Sequence, residues 1–185
     1  ALGYLLSPSI QAGMSDMIAG QIARQTSAGI SKNLNDNLII PRLNIKNASG
    51  LVNDLSISQD EHLLALLHQD KTVRIWDTQL GVQRPIIKAA NATKVLPLSR
   101  QNTVLIGSSQ GQISQYDVMS ATLLNQLKTS NDVVIAMAVS SDESQLIVVH
   151  QNGQWVLWNL NNNNKLKEVT ASGNVKKISF AADNK

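Results

Sequence analysis

Leu63-Leu64-Ala65-Leu66-Leu67-His68-Gln69-Asp70-Lys71-Thr72-Val73-Arg74-Ile75-Trp76-Asp77 is an apolar run, a polar turn and a second, alternating run closed by an aromatic residue and an acid. That ending recurs downstream as Ile113-Ser114-Gln115-Tyr116-Asp117 and as Trp155-Val156-Leu157-Trp158-Asn159. Trp76 and Tyr116 lie 40 residues apart, and Tyr116 and Trp158 lie 42 apart. A second marker gives the same period: Ala48-Ser49-Gly50-Leu51-Val52-Asn53-Asp54-Leu55-Ser56-Ile57 returns as Ala171-Ser172-Gly173-Asn174-Val175-Lys176-Lys177-Ile178-Ser179-Phe180, an offset of 123, three times 41. An internal repeat of this length fixes the architecture before any single residue is weighed.

Within one period the punctuation reads as four short strands. Leu55 to Ser58 alternates, Gln59-Asp60-Glu61-His62 turns, and Leu63 to Leu67 follows. Gln69-Asp70-Lys71 turns into Val73 to Trp76, and Thr78-Gln79-Leu80-Gly81 turns into Val82 to Ile87. The next unit repeats the plan with Val95 to Leu98, Val104 to Ile106, Ile113 to Tyr116 and Leu123 to Leu127. The third uses Ile135 to Val139, Leu146 to Val149, Trp155 to Trp158 and Leu166 to Val169. Short strands at even spacing with turns between them mean all-β structure. Pro85 suits an outer strand, because proline has no amide to donate; Pro97, on a first strand near the axis, is less comfortable.

A four-stranded unit of this length whose third strand ends in Trp-Asp resembles a WD repeat, most closely over Leu63 to Asp77. The resemblance implies a β-propeller of four-stranded blades: three full blades over about 46–88, 89–128 and 129–169, and the start of a fourth over 170–185. It also implies a buried network in each blade, joining the third-strand Trp, a second-strand hydroxyl, an Asp in the turn between them and a Gly-His ahead of the first strand. Trp76 and Asp70 match, but His68 stands at the hydroxyl position and Asn47-Ala48 replaces Gly-His. The second unit keeps Ser108, with Tyr116 for the Trp and Gln110 for the Asp; the third has Trp158, His150 and Asn152. The second-strand imidazole is expected to stand in for the missing loop histidine, touching Asp70 or the Trp indole. His68 and His150 are at equivalent positions on separate sheets with no third ligand recurring, so they are expected to be structural, and no metal is expected.

No group of residues promises catalysis. Gly107-Ser108-Ser109-Gln110-Gly111 spells Gly-x-Ser-x-Gly, but a nucleophile elbow needs a helix after Ser109, and the repeat places a strand there. The stretch also lacks the lysine of a phosphate loop. Asp60-Glu61 and Asp142-Glu143 are adjacent pairs in single turns, whereas glycosidic chemistry needs two carboxyls facing each other across a substrate; both pairs are expected to be solvated. Cysteine is absent, which removes disulfides and thiolate metal sites and leaves a reducing cytosol and an oxidising periplasm or exterior equally open. The net charge of +3 comes from 16 basic and 13 acidic side chains scattered along the chain, with few aromatics for stacking, so no nucleic acid partner is expected. No run approaches the roughly 20 apolar residues that span a bilayer. No cofactor is expected.

Residues 1–37 differ in period. Ile18, Ile22, Thr26, Ile30 and Leu34 fall four apart behind a capping Ser15, predicting an amphipathic α-helix over 15–34 with Ala19, Ala23 and Ser27 on a small-residue face. Leu38 to Ile45 then reads as an outer strand, so the propeller segment is taken as 38–185. Ala1 to Pro8 is compatible with the tail of an export signal, a mature N-terminus or a linker.

Propellers close with about four to eight blades, so the missing blades are expected from another chain or from further polypeptide. The resemblance implies a non-catalytic protein-interaction scaffold whose loops before first strands share one rim with the turns between second and third strands. Asn47, Lys71, Lys94, Asn131 and Gln151 are the candidate partner-binding residues on that rim, and Trp76, Asp70, His68, Tyr116, Trp158 and His150 the structural ones. The alternative is the propeller portion of a larger multidomain enzyme, such as a hydrolase, with its catalytic domain outside this chain.

Overall fold

The computed structural model describes residues 51–170 and 178–180. The expected helix over 15–34, the strand over 38–45 and the candidate Asn47 lie outside the described residues. Every regular element among the described residues is a β-strand, in three antiparallel sheets. The first contains β1 (Val52–Ile57), β2 (Leu63–His68), β3 (Thr72–Asp77), β4 (Val82–Gln83) and β5 (Ile87–Lys88). The second is β6 (Ala92–Leu98), β7 (Thr103–Ser108), β8 (Gln112–Asp117) and β9 (Leu123–Lys128), and the third β10 (Val134–Val139), β11 (Gln145–His150), β12 (Gln154–Asn159) and β13 (Asn164–Thr170). Each sheet runs in sequence order from inner to outer strand.

The registers superimpose. Leu64 opposes Trp76, Val104 opposes Tyr116 and Leu146 opposes Trp158, so the three aromatic markers hold one place in successive sheets. Each first strand carries a bulge at the same point, after Val52, Ala92 and Val134, opposite His68, Ser108 and His150. The turns from first to second strand repeat too: Glu61, Asn102 and Glu143, 41 apart, all have positive φ, at 65°, 55° and 59°.

The second strand of the second sheet, β7, is apolar on both faces because it lies between the first and third sheets. β2, Leu-Leu-Ala-Leu-Leu-His, is buried at every position. Leu63, Ala65 and Leu67 with Val73 and Ile75 meet Val104 and Ile106 of the second sheet. On the opposite face of that sheet Leu105 and Ile113 meet Val134, Leu146 and Val148 of the third. Each such side chain taken from water stabilises the stack by about 1.5–3 kcal/mol. Gly107 is required at the second of these contacts, since a Cβ there would lie 2.7 Å from Val134 Cγ1.

Polar bonds link neighbouring sheets at one repeat length. Asp54 accepts from Val95 N at 2.9 Å, 41 residues on, and from Lys94 Nζ at 2.8 Å. Thr93 Oγ1 donates to the Val134 carbonyl at 2.7 Å, again 41 residues on.

The prolines behave differently from each other. The strand expected over 82–87 is broken: β4 and β5 both pair with β3, and Pro85 sits in the gap. Proline cannot continue the ladder, and an outer strand tolerates the break. Pro97 stays within β6, paired with Val104. The Val95 amide points away from β7, toward Asp54, and Pro97 two residues on has its nitrogen on that same side, where no ladder bond is lost.

Candidate interaction rim and axial cavity

Antiparallel order puts the turn between second and third strands at the same end of a sheet as the start of the first strand and the finish of the fourth. Hydrogen bonds weld these pieces together. Ser109 N donates to the Asn91 carbonyl at 2.8 Å, and Gln151 N to the Val133 carbonyl at 2.9 Å. Asn152 N donates to Asp132 Oδ2 at 2.6 Å, and Thr129 N to the Gly111 carbonyl at 2.9 Å. Gly111 has φ +70°, and a Cβ there would stand 2.5 Å from the Ser130 carbonyl oxygen, so only glycine lets the loop approach this closely.

Four of the five rim candidates are described. Lys71, Asn131 and Gln151 are exposed at this end. Lys71 holds φ 66° at the tip of the β2–β3 turn. Lys94 differs, since its ammonium is bound to Asp54 within the inter-sheet clasp.

The inner strands line an open cleft of about 250 Å³. Leu55, Leu96, Met137 and Ile178 all line it, and they are spaced 41, 41 and 41 residues apart, one per repeat. Asp54 and Lys94 also line it. The opposite end of the sheets carries a second series at the same spacing, Ser58, Ser99 and Ser140. Ser58 and Ser140 donate to Asp60 and Asp142, and accept from Leu63 N and Gln145 N at 3.0 and 2.9 Å. The Ser140 hydroxyl, helped by Ser144, holds the Asp142 carboxyl down at about 2.

The structural candidates separate. Trp76 is buried, while Tyr116 and Trp158 are half-buried, and the Trp158 indole N–H is enclosed without a partner among the described residues. His68 is 1% exposed and neither ring nitrogen has a partner there. Of the two contacts expected of His68, with Asp70 or with the Trp indole, a hydrogen bond to Asp70 is not made: Asp70 faces out and accepts from Thr72 and Arg74. Burial, then the neighbouring Arg74 charge, pushes the His68 pKa below its ordinary value. His150 places Nδ1 3.1 Å from the Asp132 carbonyl and leaves Nε2 unpaired. Burial lowers its pKa too, against the pull of that carbonyl and of Asp132 and Glu168.

Ser109 is an exposed turn residue followed by strand β8, so the helix of a nucleophile elbow is missing. The paired carboxylates are only partly as expected. Asp60 and Asp142 are exposed, but Glu143 is 3% exposed and accepts from Arg100 N of the second sheet at 3.3 Å, while its left-handed backbone sets it at the sheet junction rather than in solvent. Among the described residues no group of three or more His, Asp or Glu side chains is placed to hold a metal. No helix among them is long and apolar enough to cross a membrane.

The sequence matches the family described as "Vps8 beta-propeller" over residues 89–185, just over half of the chain. The chain belongs to the Vps8 β-propeller family. NACHT and WD repeat domain-containing protein 2 of Mus musculus is 35% identical over 83 residues, and that of Homo sapiens 34%. The match covers 45% of this chain and about 5% of those much longer proteins. Two solved structures share the fold: the RRP9 WD40 repeats, at 15% identity and a TM-score of 0.59, and U3-55K, at 14% and 0.60. Each aligns with 68% of this chain and 40% or 41% of its own. The Vps8 β-propeller segment is thus a WD-repeat propeller segment. Asp54, Glu143 and the ring lining the cleft are the features that sequence reasoning passed over. Of these, the ring carried a signal, the recurrence of an apolar residue at 55, 96, 137 and 178.

Proposed function

We propose that this chain is a non-catalytic protein-interaction scaffold whose contact surface is the rim carrying Lys71, Asn131 and Gln151, with Asn47 and Lys94 beside them. What supports this is that described loops and turns at that end are tied to one another by backbone bonds such as Gln151 N to Val133 O and Ser109 N to Asn91 O. A partner therefore meets a surface that loses little entropy on binding. With a purified binding partner, Asn131→Glu and Gln151→Glu are each expected to weaken affinity about tenfold, the scale of a lost interface anchor. Met119→Arg, in the exposed β8–β9 turn at the other end, should leave it unchanged. The reverse pattern sinks the rim as contact surface.

The three blades belong to a ring that further blades complete, supplied by another chain or by further polypeptide. The support is an asymmetry between equivalent positions. Ala65, Val73 and Ile75 are 0% exposed, covered by the second sheet, whereas their counterparts Ile147, Trp155 and Leu157 on the third sheet are only half-buried. The chain by itself is expected to self-associate in sedimentation experiments; a monodisperse monomer with Trp155 accessible to quencher counts against the ring.

A further inference from the structure

The two ends of the blades differ in uncompensated charge. At the rim, two carboxylates are neutralised by cations, Asp54 by Lys94 and Asp70 by Arg74, and a third, Asp132, accepts a backbone N–H from Asn152. Apart from Lys94, the described lysines there have no carboxylate partner: Lys71, Lys88 and Lys128 make no ion pair among the described residues. Lys71 is exposed at the β2–β3 tip. Lys88 pairs across from Thr72 and Lys128 across from Gln112, the same last rung of successive blades, and both are exposed. Lys128 Nζ reaches only a backbone oxygen, that of Gln110, at 2.7 Å. At the opposite end, Asp60, Asp117 and Asp142 accept from their own turns, and the Arg84 cation is taken by Asp77 at 2.6 Å.

We infer that the rim selects an acidic segment of a partner protein, with Lys71, Lys88 and Lys128 meeting its carboxylates; this rests on the rim being the contact surface. Such a segment is drawn to the lysine end and repelled by the carboxylate end, so charge fixes which face it meets and speeds encounter. A single-stranded nucleic acid fits less well. The rim's lysines alternate with carboxylates instead of forming a track, and among the described residues no aromatic side chain at the rim tips offers a stacking platform.

The test uses the whole chain and short labelled peptides in fluorescence anisotropy. A glutamate-rich peptide is expected to bind at low salt and to weaken as salt rises. The triple variant K71E/K88E/K128E should bind it at least about tenfold more weakly, a loss of about 1.4 kcal/mol. The triple R100E/K165E/K167E, of equal net charge but away from the rim, should bind like the parent. Equal weakening by both triples, or no binding of the acidic peptide, overturns the inference. Tighter, rim-dependent binding of an oligouridylate also overturns it. Rim-dependent binding of an uncharged or lysine-rich peptide alone overturns the acidic preference and leaves the interaction surface standing, whereas no rim dependence with any peptide removes both. Unchanged far-ultraviolet circular dichroism of each triple shows that folding is intact.

Discussion

Trp76→Ala is expected to cost about 3–5 kcal/mol of folding stability, the range for emptying a large aromatic from a packed core. Trp76 is 2% exposed, and the strand opposite offers Leu64 and Leu66 at 2% and 0%, so the surroundings have little freedom to collapse into the void. Trp158 holds the same register place in its own blade but is half-buried, and its enclosed N–H has no acceptor among the described residues. Trp158→Ala should therefore cost clearly less. Trp158→Phe should stay within about 1 kcal/mol of the parent, since it keeps most of the apolar contact and deletes a donor whose desolvation is uncompensated. Urea denaturation followed by far-ultraviolet circular dichroism reads all three without depending on tryptophan emission. Equal losses for Trp76→Ala and Trp158→Ala would mean that burial is not what distinguishes the two sites.

The repeat was legible because its markers are local. A polar turn, an apolar second strand and an aromatic at the end of the third strand can each be read from a few neighbouring residues, and their spacing carries the architecture. Which loops share the rim followed as well, since antiparallel order leaves no other arrangement. Interactions between blades were harder to see. Asp54 looks like an ordinary solvent-facing acid on a half-buried strand, yet besides Lys94 it holds a backbone N–H of the next sheet, and backbone amides have no letter in the sequence. Glu143 was misjudged for a related reason: an acid beside an acid in a turn reads as solvated, whereas here the second sheet's turn lies against it and Arg100 N and Gln101 Nε2 donate to it. His68 shows the limit of arguing by substitution within a pattern. The imidazole is expected to touch Asp70 or the Trp indole, but the Asp70 carboxylate faces out and accepts from Thr72 and Arg74 instead.

The buried imidazoles make stability depend on pH in a window of their own. His68 and His150 are 1% and 0% exposed, and both have folded pKa values below the ordinary 6.5. The unfolded chain therefore binds protons that the folded chain refuses, so stability is complete above pH 6.5 and falls as pH drops from there toward the folded values. The slope is at most about 1.4 kcal/mol per pH unit for each histidine. Around His68 the Arg74 charge opposes protonation and Asp70 favours it; around His150 Asp132 and Glu168 favour it, so His68 should contribute more of the slope. Carboxylates act in a lower window. Hydrogen bonds from Thr72, Ser120 and Ser140 hold Asp70, Asp117 and Asp142 below 3.8, so their contribution is present above 3.8 and fades only as pH falls beneath it. Thermal melts should thus show a decline in Tm between pH 7 and 5, then a second decline in strong acid. His68→Leu combined with His150→Leu should flatten the first decline and leave the second in place. A parent whose Tm is constant from pH 7 to 5, or a double variant that keeps the full slope, would show that these rings are not the groups that titrate on unfolding.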